Sequence, residues 1–250
     1  MHPPHVASPH HEPIEPLYLH LDYDFSNLIA EMKSLTERVL HLAPPGGLFD
    51  ETVVGNLFPE GSVGARRLLV HRASSAGEIL RLKPGLFVLA PPFRKSEPHP
   101  FAVAALLHAP SHVSLESALS YHGLIPEAVY QVSSVTVGRS RHFATPLGTF
   151  DFRRVPARMP RAGVEALEVS RNTWAFVATP LRALADAVYL NKNITWAHDG
   201  LNFLLESLRI EQDDLDNLSF DGMDEILDSL GSLRVQCYLK GLKGALIHAD

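Results

Sequence analysis

Ser62-Val63-Gly64-Ala65-Arg66-Arg67-Leu68-Leu69-Val70-His71-Arg72-Ala73-Ser74-Ser75-Ala76-Gly77-Glu78-Ile79-Leu80-Arg81-Leu82-Lys83-Pro84-Gly85-Leu86-Phe87-Val88-Leu89 is the stretch that decides the fold. Ser62 is an N-cap residue, and Gly77 stands where a helix reaching Ala76 needs a left-handed terminator. Beyond it, residues 79–90 are rich in strand formers and are interrupted by Lys83-Pro84-Gly85, so they read as two short strands joined by a turn. At about 100° per residue, Ala65, Leu68, Leu69, Ala73, Ala76 and Ile79 fall on one side of the helix and are predicted to pack inward. Arg67, His71 and Ser74 fall opposite, with Val70 and Ser75 at their flanks and Arg66 at the boundary. Arg72 projects into the apolar sector, where it is expected to snorkel or to pair with an acid of the preceding helix.

Upstream, Leu28, Ile29, Met32, Leu35, Val39 and Leu42 recur at helical spacing over residues 25–42, with Asp24 or Ser26 as cap and Pro44-Pro45-Gly46-Gly47 as stop. A short helix over 50–58 follows and is closed by Pro59-Glu60-Gly61. Helix, helix, helix, hairpin is the order of a winged helix-turn-helix, placed at residues 24–92. Residues 1–23 form a Pro/His-rich tail expected to be disordered, and 94–100 a linker. In a winged helix the exposed face of the third helix reads DNA. Arginine there can bond guanine O6 and N7, and Ser and His can reach base edges or phosphates. The expected DNA-binding set is Arg66, Arg67, His71, Ser74, Ser75, Arg81 and Lys83, the last two lying on the wing beside phosphates. A polar helical face serves equally as plain solvent surface.

Residues 98–250 read as a second, mixed α/β domain with a helical C-terminal part, so the fold class is α+β. A helix is predicted over 100–108. Ser114 caps another in which Leu115, Ala118, Leu119 and His122 share a face and Gly123 ends it. His122 reads as a satisfied core histidine. Strands follow at 129–137, 141–145 and 149–155, near Leu167 and at 174–178. Helices are predicted at 180–190, 196–208, 221–230 and 233–247. Cys237 is expected to be a buried, inert thiol.

The net charge of −6 is distributed unevenly. Residues 1–61 carry 9 acids and 2 bases, residues 62–161 carry 13 bases and 5 acids, and residues 199–230 carry 10 acids and the single base Arg209. DNA affinity follows local phosphate neutralisation, so the central surplus counts for more than the total. Arg139, Arg141, Arg153, Arg154 and Arg158 form a second basic surface that could extend a DNA footprint or receive a partner. The acidic segment could dock a basic protein or serve solubility. A lone cysteine excludes a disulfide framework, and the longest apolar run is too short to cross a bilayer. A cytoplasmic protein is the default expectation.

Three stretches resemble the AbiEi family, antitoxins of type IV toxin–antitoxin systems that are also transcriptional regulators. The first is Arg81-Leu82-Lys83-Pro84-Gly85-Leu86-Phe87-Val88-Leu89. The second, over 113–127, contains Leu115-Glu116-Ser117-Ala118-Leu119-Ser120-Tyr121-His122-Gly123-Leu124-Ile125-Pro126-Glu127. The third is Thr179-Pro180-Leu181-Arg182-Ala183-Leu184-Ala185-Asp186-Ala187-Val188-Tyr189-Leu190, where Leu181 and Arg182 stand in place of the family's Glu-Lys. The resemblance implies a winged-helix domain that binds double-stranded DNA at its own operator. It also implies a second domain that counteracts a cognate toxin of nucleotidyltransferase type. Oligomerisation on DNA is compatible with both.

No phosphate-binding loop, nucleophile elbow or His-Glu-x-x-His signature occurs, and the 14 histidines show no metal-ligand spacing. A Ser120, His122, Asp151 triad can be written down without any spacing logic behind it. No catalytic residue, metal or cofactor is therefore expected, and the chain reads as a non-enzyme. Two alternatives stay open: a stand-alone repressor whose second domain senses a small ligand, and a hydrolase or nuclease docked to DNA by its winged head.

Overall fold

Side-chain caps set out the first helices of the protein. The computed structural model describes residues 34–125 and 131–247. Ser34 accepts a hydrogen bond from Glu37 N and donates its own N–H to Glu37 Oε2, a capping box that starts α1 (Leu35–Leu42). The helix read over 25–42 is therefore interrupted at Ser34, which the box takes out of helical geometry. The expected tail, residues 25–33, the start of the 129–137 strand, and Pro126 and Glu127 lie outside the described residues. Asp50 accepts from Val53 N at 2.9 Å and starts α2 (Glu51–Leu57). Ser62 accepts from Ala65 N at 3.2 Å and starts α3 (Val63–Ser75). Gly77, at φ +70°, ends it as read from the sequence.

A three-stranded sheet follows from the hairpin β2 (Ile79–Lys83) and β3 (Leu86–Leu89), with Gly85 at φ +80° in the turn and a register shift between Arg81 and Lys83. The sequence reading missed β1 (Leu48–Asp50), three residues too few to show a period, which pairs antiparallel with β3 and gives the order β1-β3-β2. The central strand β3 is buried along its whole length. Alternation divides the hairpin between two cores. Ile79, Phe87 and Leu89 join Leu35, Val39, Phe49, Val54, Phe58 and Ala73 in a small core. Leu82, Leu86 and Val88 join the large core of the rest of the chain.

That large core lies about a six-stranded mixed sheet, ordered β6-β7-β5-β4-β9-β8. Its strands are β4 (Ser111–Val113), β5 (Gln131–Thr136), β6 (Arg141–Thr145), β7 (Gly148–Arg154), β8 (Val164–Ser170) and β9 (Thr173–Ala178). Parallel pairings join β4 to β9 and β5 to β7. Three helices pack against this sheet: α4 (Pro100–Leu107), α5 (Leu115–Tyr121) and α6 (Pro180–Leu190). The molecule is thus mixed α+β. Within the 94–100 stretch Pro98 is buried against Gly46, while Lys95, Ser96, Glu97 and Pro100 are exposed.

The helical C-terminal part comprises α7 (Trp196–Asp199), a π turn (Phe203–Ser207), α8 (Gln212–Asp216), α9 (Met223–Leu230) and α10 (Leu233–Ile247). The single helix read over 196–208 is broken at Gly200, whose φ is +51°. The free carbonyl there accepts the Tyr238 hydroxyl at 2.7 Å, and the Trp196 ring stands edge-on to Tyr238. Cys237 is exposed, a correction to the buried thiol read from the sequence; its neighbours Val235, Tyr238 and Leu239 take the inward face of α10.

One charged cluster lies wholly inside. Asp186 of α6 accepts from Arg182 Nε at 3.0 Å and from Ser114 Oγ at 2.8 Å, with His112 Nε2 at 3.4 Å. Arg182 Nη1 donates to Ala162 O at 2.5 Å. Both members of the pair are fully buried, and Arg182 Nη2 has no hydrogen-bond partner among the described residues. The cluster pins the β4–α5 corner to α6. His122 is satisfied too, its Nε2 lying 2.9 Å from Ala178 O.

Candidate nucleic-acid interface

Helix α3 meets the hairpin along a groove of about 750 Å³, and five residues singled out in the sequence line it: Arg66, Arg67, His71, Ser74 and Arg81. They come from two elements brought together by the small core, through Ala73 of α3 and Ile79 of β2. Arg67 and Arg81 are exposed, with no hydrogen bond or ion pair to any described residue. Arg66 is half-buried, its Nε donating to Gly61 O at 2.8 Å, so one edge of its guanidinium is held while the rest borders the groove. A Cβ at Gly55 would stand 3.1 Å from Arg66 Nη1, so that glycine makes room for the side chain. Ser75 sits one turn beyond His71, 3.4 Å from its Nδ1, and does not line the groove.

Lys83 is placed elsewhere. Its Nζ donates to Leu106 O at 2.7 Å and to Leu107 O at 2.8 Å. A cation on the last carbonyls of a helix is favourably placed against the α4 dipole. Partial burial holds this ammonium below its ordinary pKa. The assignment of Lys83 to phosphate is corrected on this geometry: its donors fasten the hairpin to α4.

The helical wheel is also adjusted. Only Ala73 of α3 is fully buried, Leu69 and Val70 are partly so, and Leu68 is 43% exposed. Ala76 is exposed as well. Arg72, expected to snorkel or pair, is exposed without a partner among the described residues. The inward face is narrower than the spacing implies because one flank of α3 borders the groove. Sequence reading gave no sign of the groove's apolar lining, which Val54, Val63, Val70, Leu80 and Phe87 provide. Glu51 borders it as well, its N–H donating to Gly85 O at 3.2 Å.

The second basic set is exposed throughout: Arg139, Arg141, Arg153, Arg154 and Arg158. Arg141 lies on β6, which packs against β2, so this surface adjoins the hairpin. Arg153 lines a separate groove of about 630 Å³ with Glu116, Gln131, Ser133 and Asp151. The Arg158 N–H donates to Ser229 O at 2.8 Å, and the Arg161 guanidinium lies 3.4 Å above the centre of the Phe176 ring. The written triad does not assemble, since His122 faces Ala178 O while Asp151 lies 3.7 Å from His142.

No protein-family model and no curated protein matches this chain. Among the described residues no helix is long and apolar enough to cross a membrane.

Proposed function

We propose that this protein is a DNA-binding transcriptional autoregulator and the antitoxin to a nucleotidyltransferase-type toxin, acting in the cytoplasm, with no catalysis of its own. Its reader is a winged helix-turn-helix formed by residues 35–89. The order α1-β1-α2-α3-β2-β3 and the sheet order β1-β3-β2 support that identification. The observation that carries DNA binding is the convergence of Arg66, Arg67, His71, Ser74 and Arg81 on one groove, although they come from separate elements.

In this reading α3 enters the major groove, where Arg67 bonds a guanine edge while His71 and Ser74 meet neighbouring bases or phosphates. Arg66 and Arg81 hold the backbone on either side. The Arg139, Arg141, Arg153, Arg154 and Arg158 surface continues the footprint past the hairpin. The antitoxin role rests on the AbiEi-like stretches 113–127 and 179–190. Exposed acids of α8 and α9, among them Asp213, Asp224, Glu225 and Asp228, suit a basic partner.

Fluorescence anisotropy on a duplex from the gene's own upstream region and on a scrambled duplex, at two salt concentrations, tests the reading. Tighter binding to the upstream duplex, weakening steeply with salt, is the expected result. Equal or absent binding to both would overturn it. Co-purification with the product of the neighbouring gene tests the antitoxin part. The groove beside Arg153 favours one second reading, a ligand-responsive repressor, whose mark is ligand-dependent release of the duplex.

A further inference from the structure

The groove of about 630 Å³ beside Arg153 shares no lining residue with the α3 groove. It opens on a polar face of the large sheet. Ser133 of β5 stands beside Asp151 of β7 in the parallel register, and alternation puts Gln131 and Arg153 on that same face. Three observations mark a site shaped for a ligand. Ser133 is only 7% exposed, and its hydroxyl has no hydrogen-bond partner among the described residues, although its N–H is held by Ser117 Oγ at 2.8 Å. A buried hydroxyl left unpaired is costly until something enters to meet it. Leu115 and Arg209, both at φ +55°, line the groove. Side chains rarely adopt that backbone, and it gathers at ligand sites. The Arg153 and Glu116 side chains are exposed, with no hydrogen bond or ion pair to any described residue.

The lining sets the chemistry of the occupant. It carries two acids, Glu116 and Asp151, and two bases, Arg153 and Arg209. A polyanion would meet the acids and a polyamine the arginines, so the matching ligand carries one charge of each sign. Asp151 and Arg153 are two residues apart on one face of β7, or about 7 Å, and do not pair; the neighbour of Asp151 is His142, at 3.7 Å. Between the charged groups stand the uncharged amides of Gln131 and Asn191. Asn191 donates its Nδ2 to Ala187 O at 2.9 Å, which leaves its Oδ1 to accept. Leu115, Ile125, Leu190 and Leu208 supply apolar surface. The volume falls in the range of about 300–1,000 Å³ usual for small-molecule sites, of which a single amino acid fills only a small part.

We infer that this groove binds a short zwitterionic peptide, of two or three residues with apolar side chains. Its ammonium meets Glu116 and Asp151, and its carboxylate meets Arg153. Its peptide group meets the Ser133 hydroxyl and the Gln131 and Asn191 amides, and its side chains lie against the four apolar residues. Only a consequence for duplex binding rests on the reading of the protein as a ligand-responsive repressor; the binding itself does not.

Calorimetry on the full chain with leucyl-leucine tests the inference. Saturable binding at one site per chain, with a Kd below about 1 mM, is expected. N-acetyl-leucyl-leucine, which lacks the ammonium, and leucyl-leucinamide, which lacks the carboxylate, should each bind about tenfold or more weakly, as the loss of a charge-assisted hydrogen bond requires. Arg153→Gln, at an exposed position, should weaken leucyl-leucine by a similar factor, leave leucyl-leucinamide unchanged and keep the parent unfolding midpoint. Absence of saturable binding, capped peptides as tight as the free one, or an Arg153→Gln variant that weakens all three alike would each overturn the site. L-leucine binding as tightly as the dipeptide would overturn the peptide assignment. Adding leucyl-leucine to the upstream duplex complex separates the two readings. Binding by calorimetry without release of the duplex sinks the ligand-responsive repressor and leaves the site standing. An intact duplex complex with no peptide binding overturns the site alone.

Discussion

Replacing Arg182 with Met leaves a buried carboxylate without its countercharge. Asp186 keeps only the Ser114 hydroxyl at 2.8 Å and the longer 3.4 Å approach of His112, while Ala162 O loses its donor. Breaking a fully buried pair on one side costs about 3–5 kcal/mol, a large part of the roughly 5–15 kcal/mol by which a domain is stable. Urea unfolding at neutral pH should show that loss as a lower midpoint with an unchanged slope. The double variant Arg182→Met/Asp186→Leu should recover more than half of it, because no charge is then left inside and the unpartnered Arg182 Nη2 is gone. A single variant within about 1 kcal/mol of the parent, or a double no better than the single, would refute the account.

Acid adds an independent check on the same cluster. Burial acts to raise the Asp186 carboxyl, but the Arg182 guanidinium, His112 and the Ser114 hydroxyl outweigh it and hold it below its ordinary value. A folded pKa below the unfolded one, about 3.9, contributes stability in full above that value. The contribution is lost as pH falls through the folded pKa. Without Arg182 burial prevails and the carboxyl moves above its ordinary value. The variant then takes up a proton while still folded, so its deficit against the parent is largest at neutral pH and narrows toward pH ~4. A deficit that is constant with pH would locate the damage in packing and not in charge.

Arg67→Ala should weaken binding to the specific duplex by about 1–3 kcal/mol and hardly alter the scrambled one, read by anisotropy; equal losses on both would reassign it to phosphate. Lys83→Ala removes two charge-assisted bonds to α4 and should lower stability by about 1–2 kcal/mol, discounted for partial exposure. The salt slope of duplex binding should stay unchanged; a flatter slope with an intact unfolding midpoint would return Lys83 to the DNA. Gly241→Ala would set a Cβ 2.4 Å from the Trp196 ring, so a loss of about 1–3 kcal/mol with altered tryptophan fluorescence is expected. Parent-like melting and emission would show that the ring shifts freely.

What the sequence disclosed and what it hid follow from the range over which each signal acts. The Ser62 cap, the Pro59-Glu60-Gly61 and Gly77 stops and the Lys83-Pro84-Gly85 turn act within a few residues, so the elements from 50 to 89 were legible in place. Ser34 was passed over because the apolar spacing of 25–42 runs through it, and a capping box outranks that spacing. β1 and β4 are three residues each, too short for any period, and they exist because β3, β5 and β9 supply their partners. The charged side of α3 was legible because it follows from angle alone. The fate of Lys83 was not, because it depends on two carbonyls more than twenty residues away on α4. The Arg182–Asp186 pair was not read from the sequence: its i to i+4 spacing suits a helical pair, but its burial depends on β4 and α9 closing over α6.

The two-sided hairpin decides how the halves of this protein depend on one another. A boundary over 92–98 is where the sequence divides, yet Leu82, Leu86 and Val88 lie before it and belong to the core after it. Each such side chain contributes about 1.5–3 kcal/mol when buried. Severing the chain there would return all three to water and release Lys83 from α4. That cost rivals the whole stability of a small three-helix unit whose own core is as slight as the one around Phe49, Phe58 and Phe87. The hairpin that borders the arginine groove is therefore held in place by the larger core. Any force that repacks α4 or β6 acts on the position of Arg81 through β2 and its buried neighbour β3 and not through a linker.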